Sequence, residues 1–380
     1  MSGLPDSDRR LAHEIAAGVL RARVELDRRL TELVTAPWRR VPADLRDVLR
    51  IGAYQLLKLT RVPRYAAVET AVSLARTAHG GKGGAGMVNA VLRRLADSAP
   101  RLAGPDADSH PAWLVERWRD HFGRARTDAL VAHNDRPRPL VIHPVRWSKP
   151  QLEAALHEAG IGVYPVMGDG LAVEAGRVTG LPGYAAGAFV VQDPAQSRVL
   201  DFAAIPDGAR LWDACAAPGG KAAVLARRCR VVASDASRHR LRRLAGTARR
   251  AAPGVMLAAA DARHPPIAGG AADAVLLDAP CTATGTLARH PDARWKLTPR
   301  RLAVAARLQA ELLDGVAPIP RRGGVLVYAT CSLEPEENDQ QVSAFLARHP
   351  EYRRSRDDLF VFPPEHDTDG AYAARLERIA

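Results

Sequence analysis

The sequence predicts a multidomain protein: an all-α N-terminal region, a small α+β region and a C-terminal α/β domain with a doubly wound, mainly parallel sheet. Apolar residues recur at helical spacing between residues 8 and 97. Helical and strand patterns are mixed between residues 111 and 185. From about residue 188, short apolar runs alternate with helical stretches, which is typical of a parallel sheet. A chain of 380 residues is long enough for two or three such domains.

The helical region is defined by apolar spacing and is interrupted by one glycine-rich run. Leu26, Leu30 and Leu33 show the helical spacing most clearly. The run at 80–84, Gly-Gly-Lys-Gly-Gly, predicts a flexible loop between helices. It is not a phosphate-binding P-loop, because no strand precedes it and no Lys-Ser or Lys-Thr pair ends it.

The middle of the chain predicts a linker followed by a small α+β unit. Residues 98–110 are rich in Ala, Pro, Asp and Gly, as linkers are. A helix carrying Trp113 and Trp118, a strand at 140–142 and a helix at 152–159 follow. We interpret the two tryptophans as core residues rather than as platforms for nucleic-acid bases.

The C-terminal region contains predicted strands near 209–213, 230–234, 255–259, 273–278 and 323–329, with helical stretches between them. The predicted domains are therefore 1–104, 105–185 and 186–380.

The composition indicates which class of molecule the protein binds. The formal charge of +12 is carried by an excess of arginine, and a protein this basic often binds a polyanion, most commonly nucleic acid. The alternative is an arginine-rich compositional bias. Aromatic residues make up only 5% of the chain, which argues against wide base-stacking surfaces.

The composition also indicates the cellular compartment of the protein. Four cysteines without a CxxC pair argue against a zinc site or a disulfide scaffold and favour a reducing cytoplasm. No run of eighteen apolar residues predicts a membrane span, and residues 1–10 lack an apolar signal core. We expect a monomer without a bound metal.

The first strand of the α/β domain leads into a candidate cofactor loop. Asp213 ends the strand, and the glycines that follow let a ligand approach the backbone. Asp235 ends the next strand, twenty-two residues on, where an acid suits a ribose diol. Asp261 follows the third strand and can face an adenine amino group. An acid beside the loop repels a pyrophosphate but attracts a sulfonium, so S-adenosylmethionine is favoured over a nicotinamide cofactor. The predicted cofactor-binding residues are Asp213, Cys215, Ala216, Ala217, Pro218, Gly219, Gly220, Lys221, Asp235, Asp261 and Asp278.

Two cysteines fifty positions apart each follow a strand of the same predicted sheet. Cys281 lies in Asp-Ala-Pro-Cys after one strand, and Cys331 lies in Thr-Cys-Ser after another. Strand C-terminal ends are where α/β sheets place active sites, so the pair suggests cysteine chemistry in a shared cleft. The alternative is two small buried apolar residues. Cys215 and Cys229 are assigned to packing.

These motifs resemble those of the RNA 5-methylcytosine methyltransferases. The quoted segments are 213–221, 278–286, His290-Pro291-Asp292, 329–332 and 335–338. Within that family the bacterial 16S ribosomal RNA branch, also called Sun or Fmu, is the most similar. It carries a NusB-like N-terminal domain, which segments 50–57, 67–72 and 88–94 resemble.

The resemblance implies a Rossmann-like methyltransferase domain, S-adenosylmethionine as cofactor and RNA as partner. It implies that Cys331 is the nucleophile that adds to carbon 6 of cytosine and that Cys281 assists its release. Asp278 is expected to contact the base, and Lys221 to supply positive potential, although a lysine that begins a helix is often only solvated. His290 and Asp292 are expected to shape their loop.

Two features depart from the family pattern. The NusB-like region is expected to be shortened at its N-terminus, and Ala288 stands where a second basic residue is usual. Two alternatives stay open beside methylation of 16S ribosomal RNA. One is a tRNA cytosine carbon-5 methyltransferase, and the other is a non-catalytic RNA-binding module related to antitermination factors.

Overall fold

The computed structural model describes residues 5–78, 81–98, 109–174 and 177–380. By contacts between Cα atoms the chain divides into two compact units. The first comprises residues 1–137 and 288–296, and the second comprises 138–287 and 297–380. In the part of the chain that is described, no helix has the length and apolarity needed to cross a bilayer.

The first unit is helical, as predicted. Its helices are α1 (Asp6–Arg21), α2 (Arg23–Leu33), α3 (Ala43–Lys58), α4 (Arg64–Thr77), α5 (Gly81–Ser98), α6 (Ala112–Phe122) and α7 (Arg124–Asn134). Leu26 and Leu30 of α2, Leu49 of α3 and Leu92 of α5 are fully buried in one apolar cluster. Trp118 of α6 is buried, which confirms its predicted role in packing.

The glycine-rich run is not a loop where it is described. Helix α5 begins at Gly81, so the loop prediction is wrong for residues 81–84, while His79 and Gly80 lie outside the described residues. The propensity cost of these glycines is about 1 kcal/mol each. Burial of Val88, Val91 and Leu95 on the same helix outweighs that cost, because packing of an apolar face supplies most of a helix's stability.

Segment 288–296 is held in the first unit by a buried arginine. Arg294 is fully buried and donates to Asp135 Oδ1 at 2.9 Å, to the Ser109 carbonyl at 2.9 Å and to the Asn134 carbonyl at 3.0 Å. The next residue, Trp295, donates its indole N–H to the carbonyl of Leu20 at 2.7 Å. The segment is therefore an integral part of this unit, although it follows the Cys281 loop in sequence.

The second unit begins with a small antiparallel sheet. Its elements are β1 (Leu140–Pro144), α8 (Lys149–Glu158), β2 (Val163–Pro165), β3 (Leu171–Val173) and β4 (Phe189–Val191), with strand order β2-β3-β1-β4. The predicted strand at 140–142 and the predicted helix at 152–159 correspond to β1 and α8. Ser148 begins α8 with a reciprocal capping box to Gln151.

The rest of the second unit is a large α/β layer. Its elements are α9 (Pro194–Ala203), β5 (Arg210–Asp213), α10 (Gly220–Leu225), β6 (Arg230–Asp235), α11 (Arg238–Ala251), β7 (Met256–Ala259), β8 (Ala272–Asp278), α12 (Pro299–Val316), β9 (Pro320–Thr330), α13 (Asp339–Arg348), β10 (Tyr352–Arg354), β11 (Leu359–Val361), α14 (Pro363–His366) and β12 (Ala371–Arg378).

These strands form an eight-stranded sheet in the order β10-β12-β9-β8-β5-β6-β7, with β11 also paired to β12. Strands β5 to β9 are mutually parallel, and β12 joins β9 antiparallel. The predicted doubly wound, mainly parallel sheet is confirmed. Side chains of β8 alternate between two buried clusters, with Ala274 and Leu276 in one and Val275 and Leu277 in the other. The sheet is therefore covered on both faces.

We predict that Arg294→Met destabilises the protein by about 3–5 kcal/mol, because it leaves the Asp135 carboxylate buried without its cation. Urea denaturation of the full chain measures the loss. Arg348→Met breaks an exposed pair with Asp314 and should cost about 1 kcal/mol or less. Adding Asp135→Asn to Arg294→Met should recover part of the loss. Equal effects of Arg294→Met and Arg348→Met would contradict the structural role of the buried pair.

Candidate active site

The site is built on the C-terminal edge of the parallel strands. β5 ends at Asp213, β6 at Asp235, β8 at Asp278 and β9 at Thr330, one residue before Cys331. Strand order runs outward from β5 through β6 and β7 on one side, and through β8 and β9 on the other. The gap between β5 and β8 is therefore the topological switch point, where open α/β sheets bind ligands.

The loop after β5 turns tightly into α10. Backbone bonds from Ala214 N to the Leu276 carbonyl (2.9 Å) and from Ala216 N to the Ser234 carbonyl (2.8 Å) hold it against both neighbouring strands. Gly219 has φ +103°, and a Cβ there would lie 2.8 Å from a methyl of Leu244 in α11. The turn therefore requires glycine, which leaves the backbone open to a ligand.

Two carboxylates at this edge are buried and incompletely satisfied. Asp213 and Asp235 are each 1% exposed. Asp213 Oδ1 and Asp235 Oδ2 have no hydrogen-bond partner among the described residues. The other oxygen of Asp235 accepts from the Ser237 backbone N–H at 2.8 Å and forms an ion pair with Arg240, whose Nε lies at 3.1 Å. Buried polar atoms are normally satisfied, so these two acceptors indicate a ligand that donates hydrogen bonds.

The charges around Asp213 are unequal. Burial raises the pKa of Asp213 to about 8, and the nearby Asp278 carboxylate adds to the rise. Lys221 Nζ pairs instead with Asp278 Oδ2 at 2.7 Å. Burial lowers the pKa of Lys221, but the charge and hydrogen bond of Asp278 outweigh that effect and raise it overall. The Lys221 ammonium is therefore retained, and its charge only partly offsets the rise in the pKa of Asp213, which has no direct ion pair among the described residues.

The two thiols lie side by side. Cys281 Sγ and Cys331 Sγ are 3.4 Å apart, as the shared-cleft hypothesis requires. The hydrogen bond with Cys331 raises the pKa of Cys281 well above its usual value, and burial adds to the effect. The raised pKa favours the protonated form of Cys281. The Lys221 ammonium interacts electrostatically with Cys331.

A buried glutamate that sequence reasoning assigned no role joins the two cysteine loops. Glu337 accepts from the backbone N–H and the hydroxyl of Thr282, from the Ser332 hydroxyl and from Gln309 Nε2. Its backbone carbonyl accepts from the Tyr328 hydroxyl at 2.7 Å. The sequence does show an acid six residues after Cys331, but sequence spacing does not show which loop this acid contacts.

The Cys281 loop also packs directly on the Cys331 turn. Gly285 donates its backbone N–H to the Cys331 carbonyl at 2.9 Å. A Cβ on Gly285 would lie 2.7 Å from the Cα of Gly370 and 2.8 Å from that carbonyl oxygen, so the approach requires glycine. Asn338 bridges the other side of the turn through Thr330 Oγ1 and the Ser332 carbonyl.

The remaining predicted residues are distributed as follows. The Asp261 carboxylate is bonded to its neighbour Arg263 at 2.7 Å, and this bond lowers the pKa of Asp261. Cys215 and Cys229 pack against apolar clusters. Burial raises the pKa of Cys215 to about 12. Asp292, in the segment of the first unit, pairs with Lys296 at 2.6 Å.

Gln192, at the end of β4, is a further polar group near the loop. Its amide nitrogen donates to Ser197 Oγ at 3.1 Å, and Ser197 in turn contacts His143 Nδ1 at 3.2 Å. The buried Gln192 Oε1 has no partner among the described residues and lies 3.2 Å from where a Cβ of Gly220 would stand. It is thus a third buried acceptor without a donor beside the loop.

Three family models match successive parts of the chain. Residues 1–97 match the NusB family, and residues 110–178 match the ferredoxin-like domain of RsmF/B-like methyltransferases. Residues 202–377 match the 16S rRNA methyltransferase RsmB/F model. The three matches follow the predicted order of all-α, α+β and α/β regions.

Curated relatives are similar over nearly the whole chain. The probable ribosomal RNA small subunit methyltransferase B of Synechocystis is 33% identical, over 99% of this chain and 92% of its own. The ribosomal RNA small subunit methyltransferase B of Citrobacter koseri is 35% identical, over 91% of this chain and 84% of its own.

Solved structures share the fold. The crystal structure of PH0851 superposes with a TM-score of 0.84 at 24% identity, covering 97% of this chain and 90% of its own. NSun6 from Pyrococcus horikoshii with SFG gives a TM-score of 0.63 at 20% identity, covering 71% of this chain and 98% of its own. The curated sequence relatives show that the chain belongs to the ribosomal RNA small subunit methyltransferase B family.

Proposed function

We propose that this RNA methyltransferase transfers a methyl group from S-adenosylmethionine to carbon 5 of a cytosine in 16S ribosomal RNA, through an adduct between Cys331 and carbon 6. Family membership supports the class of reaction and of substrate. The observation that carries the mechanism is the pair of thiols 3.4 Å apart beside the Lys221–Asp278 ion pair.

The residues at the sheet edge fit the proposed cofactor. Asp235 Oδ2 is a buried acceptor suited to a ribose hydroxyl, and Asp213 is a buried acid without its own cation. Gly219 leaves the loop backbone accessible. When bound, S-adenosylmethionine supplies a methyl group on a positively charged sulfur. Asp213 favours a cationic ligand there because such a ligand would replace the missing countercharge. We also assign the other loop residues and Asp261 to this site.

Cys331 supplies the nucleophile. Adding its thiolate to carbon 6 makes carbon 5 of the ring electron-rich enough to attack an electrophile, which divides one difficult step into easier ones. The Lys221 ammonium, retained by Asp278, provides positive charge near that thiolate. Asp278 contacts the base at its nitrogen 3 edge, where its carboxylate accepts a hydrogen bond from the amino group.

Cys281 acts after the methyl group has been transferred. Its proton is retained chiefly because of the hydrogen bond to Cys331. Its sulfur lies 3.4 Å from Cys331 Sγ, beside the carbon that Cys331 attacks. After Cys281 releases its own proton to solvent, its thiolate takes the proton from carbon 5, the carbon 5–carbon 6 double bond re-forms, and Cys331 leaves as a thiolate.

The substrate must reach these thiols as an unpaired base. A cytosine within a duplex is inaccessible, so the target nucleotide is unpaired or flipped out. We propose that the chain has three domains, residues 1–104, 105–185 and 186–380. The first two contact the RNA backbone and recognise the shape of the RNA. We further propose that the protein acts as a cytoplasmic monomer without a metal.

We predict that Asp213→Asn changes the pH dependence of stability. The pKa of Asp213 is raised from about 3.9 in the unfolded chain to about 8 in the fold. The wild type therefore loses up to about 1.4 kcal/mol per pH unit from this group as pH rises between these values. Asparagine is neutral throughout, so Asp213→Asn should be increasingly more stable than wild type as pH rises from about 5 to about 8.5. Thermal unfolding measures this; a Tm difference that does not vary with pH would contradict the buried-acid assignment.

We predict that Asp235→Ala weakens S-adenosylmethionine binding at least about tenfold. The lost hydrogen bonds to a carboxylate contribute about 1.5–3 kcal/mol each, and about 1.4 kcal/mol corresponds to a factor of ten. Calorimetry with the purified chain measures the affinity. Asp207→Ala removes an exposed acid that precedes β5 and should bind like wild type. An unchanged Kd for Asp235→Ala would remove Asp235 from the site.

The two thiol variants are expected to fail in opposite ways. Cys331→Ala should neither methylate RNA nor form an adduct. Cys281→Ala should accumulate a protein–RNA species that survives denaturing electrophoresis and forms efficiently only with S-adenosylmethionine, because release is blocked. Cys229→Ala, on the opposite edge of the sheet, is the control and should methylate normally. An adduct with Cys331→Ala would reverse the two roles, and methylation by both Cys281→Ala and Cys331→Ala would exclude the mechanism.

A further inference from the structure

Helix α11 has an unusually basic outer face. Its 14 residues include six arginines and no acid. Leu244, Ala248 and Ala251 are buried and define its inner face. Residues 238, 239, 242, 243, 246 and 249 are exposed on the opposite face. That face, which we call the α11 arginine face, carries Arg238, Arg242, Arg243 and Arg249.

These four arginines have no partner within the described part of the chain. The other two arginines of the helix are engaged: Arg240 pairs with Asp235, and Arg250 donates to the carbonyls of Tyr184 and Phe189. Several exposed arginines elsewhere in this unit pair with acids, as in Arg348–Asp314 and Arg353–Glu377. A general excess of arginine does not explain why one helix face lacks acids altogether.

Three features of this face are unfavourable for the helix itself. Arg238 occupies the first turn, where the helix dipole disfavours a cation. Arg238 and Arg242 are like charges four residues apart, which destabilises a helix. Gly246 lies mid-helix, yet a Cβ there would meet no atom within 4 Å, so no packing in the described structure requires glycine. Residues that destabilise a fold and are not required by its packing are expected at functional surfaces.

The geometry suits a polyanion backbone. From Arg238 to Arg249 the helix advances about 16 Å, at about 1.5 Å per residue, which is long enough to meet several successive phosphates. Gly246 lies between the arginines and allows close approach to the helix backbone. Arginine forms bidentate hydrogen bonds with phosphate, and the face presents no Phe, Tyr or Trp ring for base stacking.

We infer that the α11 arginine face binds the phosphate backbone of the RNA substrate, independently of base sequence. The inference rests on the proposed function for the identity of the RNA. The new element is that part of the RNA-binding surface lies on the cofactor-binding domain itself. The inner face of α11 contacts the cofactor loop, because Leu244 and Thr247 lie against Gly219. The RNA-binding surface and the cofactor loop are thus on opposite faces of one helix.

The sharpest test uses Gly246, where stability and RNA binding should change in opposite directions. Gly246→Glu places a carboxylate four residues from Arg242 and Arg250, so it should raise the Tm. On an RNA-binding face the same carboxylate should raise the KM for in vitro transcribed 16S ribosomal RNA at least about fivefold relative to Gly246→Gln, with kcat retained at saturating RNA. Equal KM values for Gly246→Glu and Gly246→Gln would overturn the inference.

A second test removes the arginines. The variant R238Q/R242Q/R243Q/R249Q should bind a short single-stranded RNA at least about tenfold more weakly. Its plot of log affinity against log salt should be less steep by about 0.7 for each phosphate that the variant no longer neutralises. The control R321Q/R322Q/R348Q/R353Q removes the same charge elsewhere in the unit and should retain the wild-type slope. Identical slopes for the two variants would overturn the inference.

The outcomes separate this inference from the proposed function. If the salt dependence of RNA binding is steeper for wild type than for R238Q/R242Q/R243Q/R249Q but wild type methylates no RNA, the proposed function fails and the binding face stands. If R238Q/R242Q/R243Q/R249Q binds free RNA normally and loses activity only on assembled small subunits, the face binds a protein and the RNA inference fails. Cofactor affinity, measured by calorimetry, should be unchanged in R238Q/R242Q/R243Q/R249Q.

Discussion

The active site depends on one buried carboxylate, that of Glu337. Fully buried, it accepts hydrogen bonds from Thr282 in the Cys281 loop, from Ser332 in the Cys331 turn and from Gln309 of α12. Burial raises the pKa of Glu337, and these bonds partly offset the rise. A buried acceptor with this many donors fixes the relative positions of the segments that supply the donors. This fixed position sets the sulfur–sulfur distance on which the proposed chemistry depends.

Charge at the sheet edge is unbalanced. Three acids, Asp213, Asp235 and Asp278, end three parallel strands, whereas Lys221 pairs with Asp278 and Arg240 with Asp235. Asp213 has no direct ion pair among the described residues, and its raised pKa reflects the cost of ionising it there. A cationic ligand would lower that cost. The buried acid therefore lowers the stability of the free protein, and a bound cofactor would restore that stability. Functional sites commonly reduce stability in this way.

The segment after the Cys281 loop illustrates how a catalytic domain can contribute to another unit. Residues 288–296 belong to the helical unit, and Arg294 is buried there with Asp135 and two backbone carbonyls as partners. His290 and Asp292, which the family motif singles out, lie on this segment. Asp292 is paired there with Lys296 at 2.6 Å.

The sequence alone determined the features that are local along the chain. Strand limits followed from apolar runs, and Asp213, Asp235, Asp278 and Cys331 were identifiable because strand ends in a parallel sheet share one edge. Tertiary structure alone decided which distant residues meet. Glu337 contacts a residue 55 positions away and Arg294 one 159 positions away, and no periodicity encodes such pairs. The raised pKa of Asp213 and the helix at Gly81 could not be predicted from the sequence either, because burial and packing depend on neighbours that only the folded chain supplies.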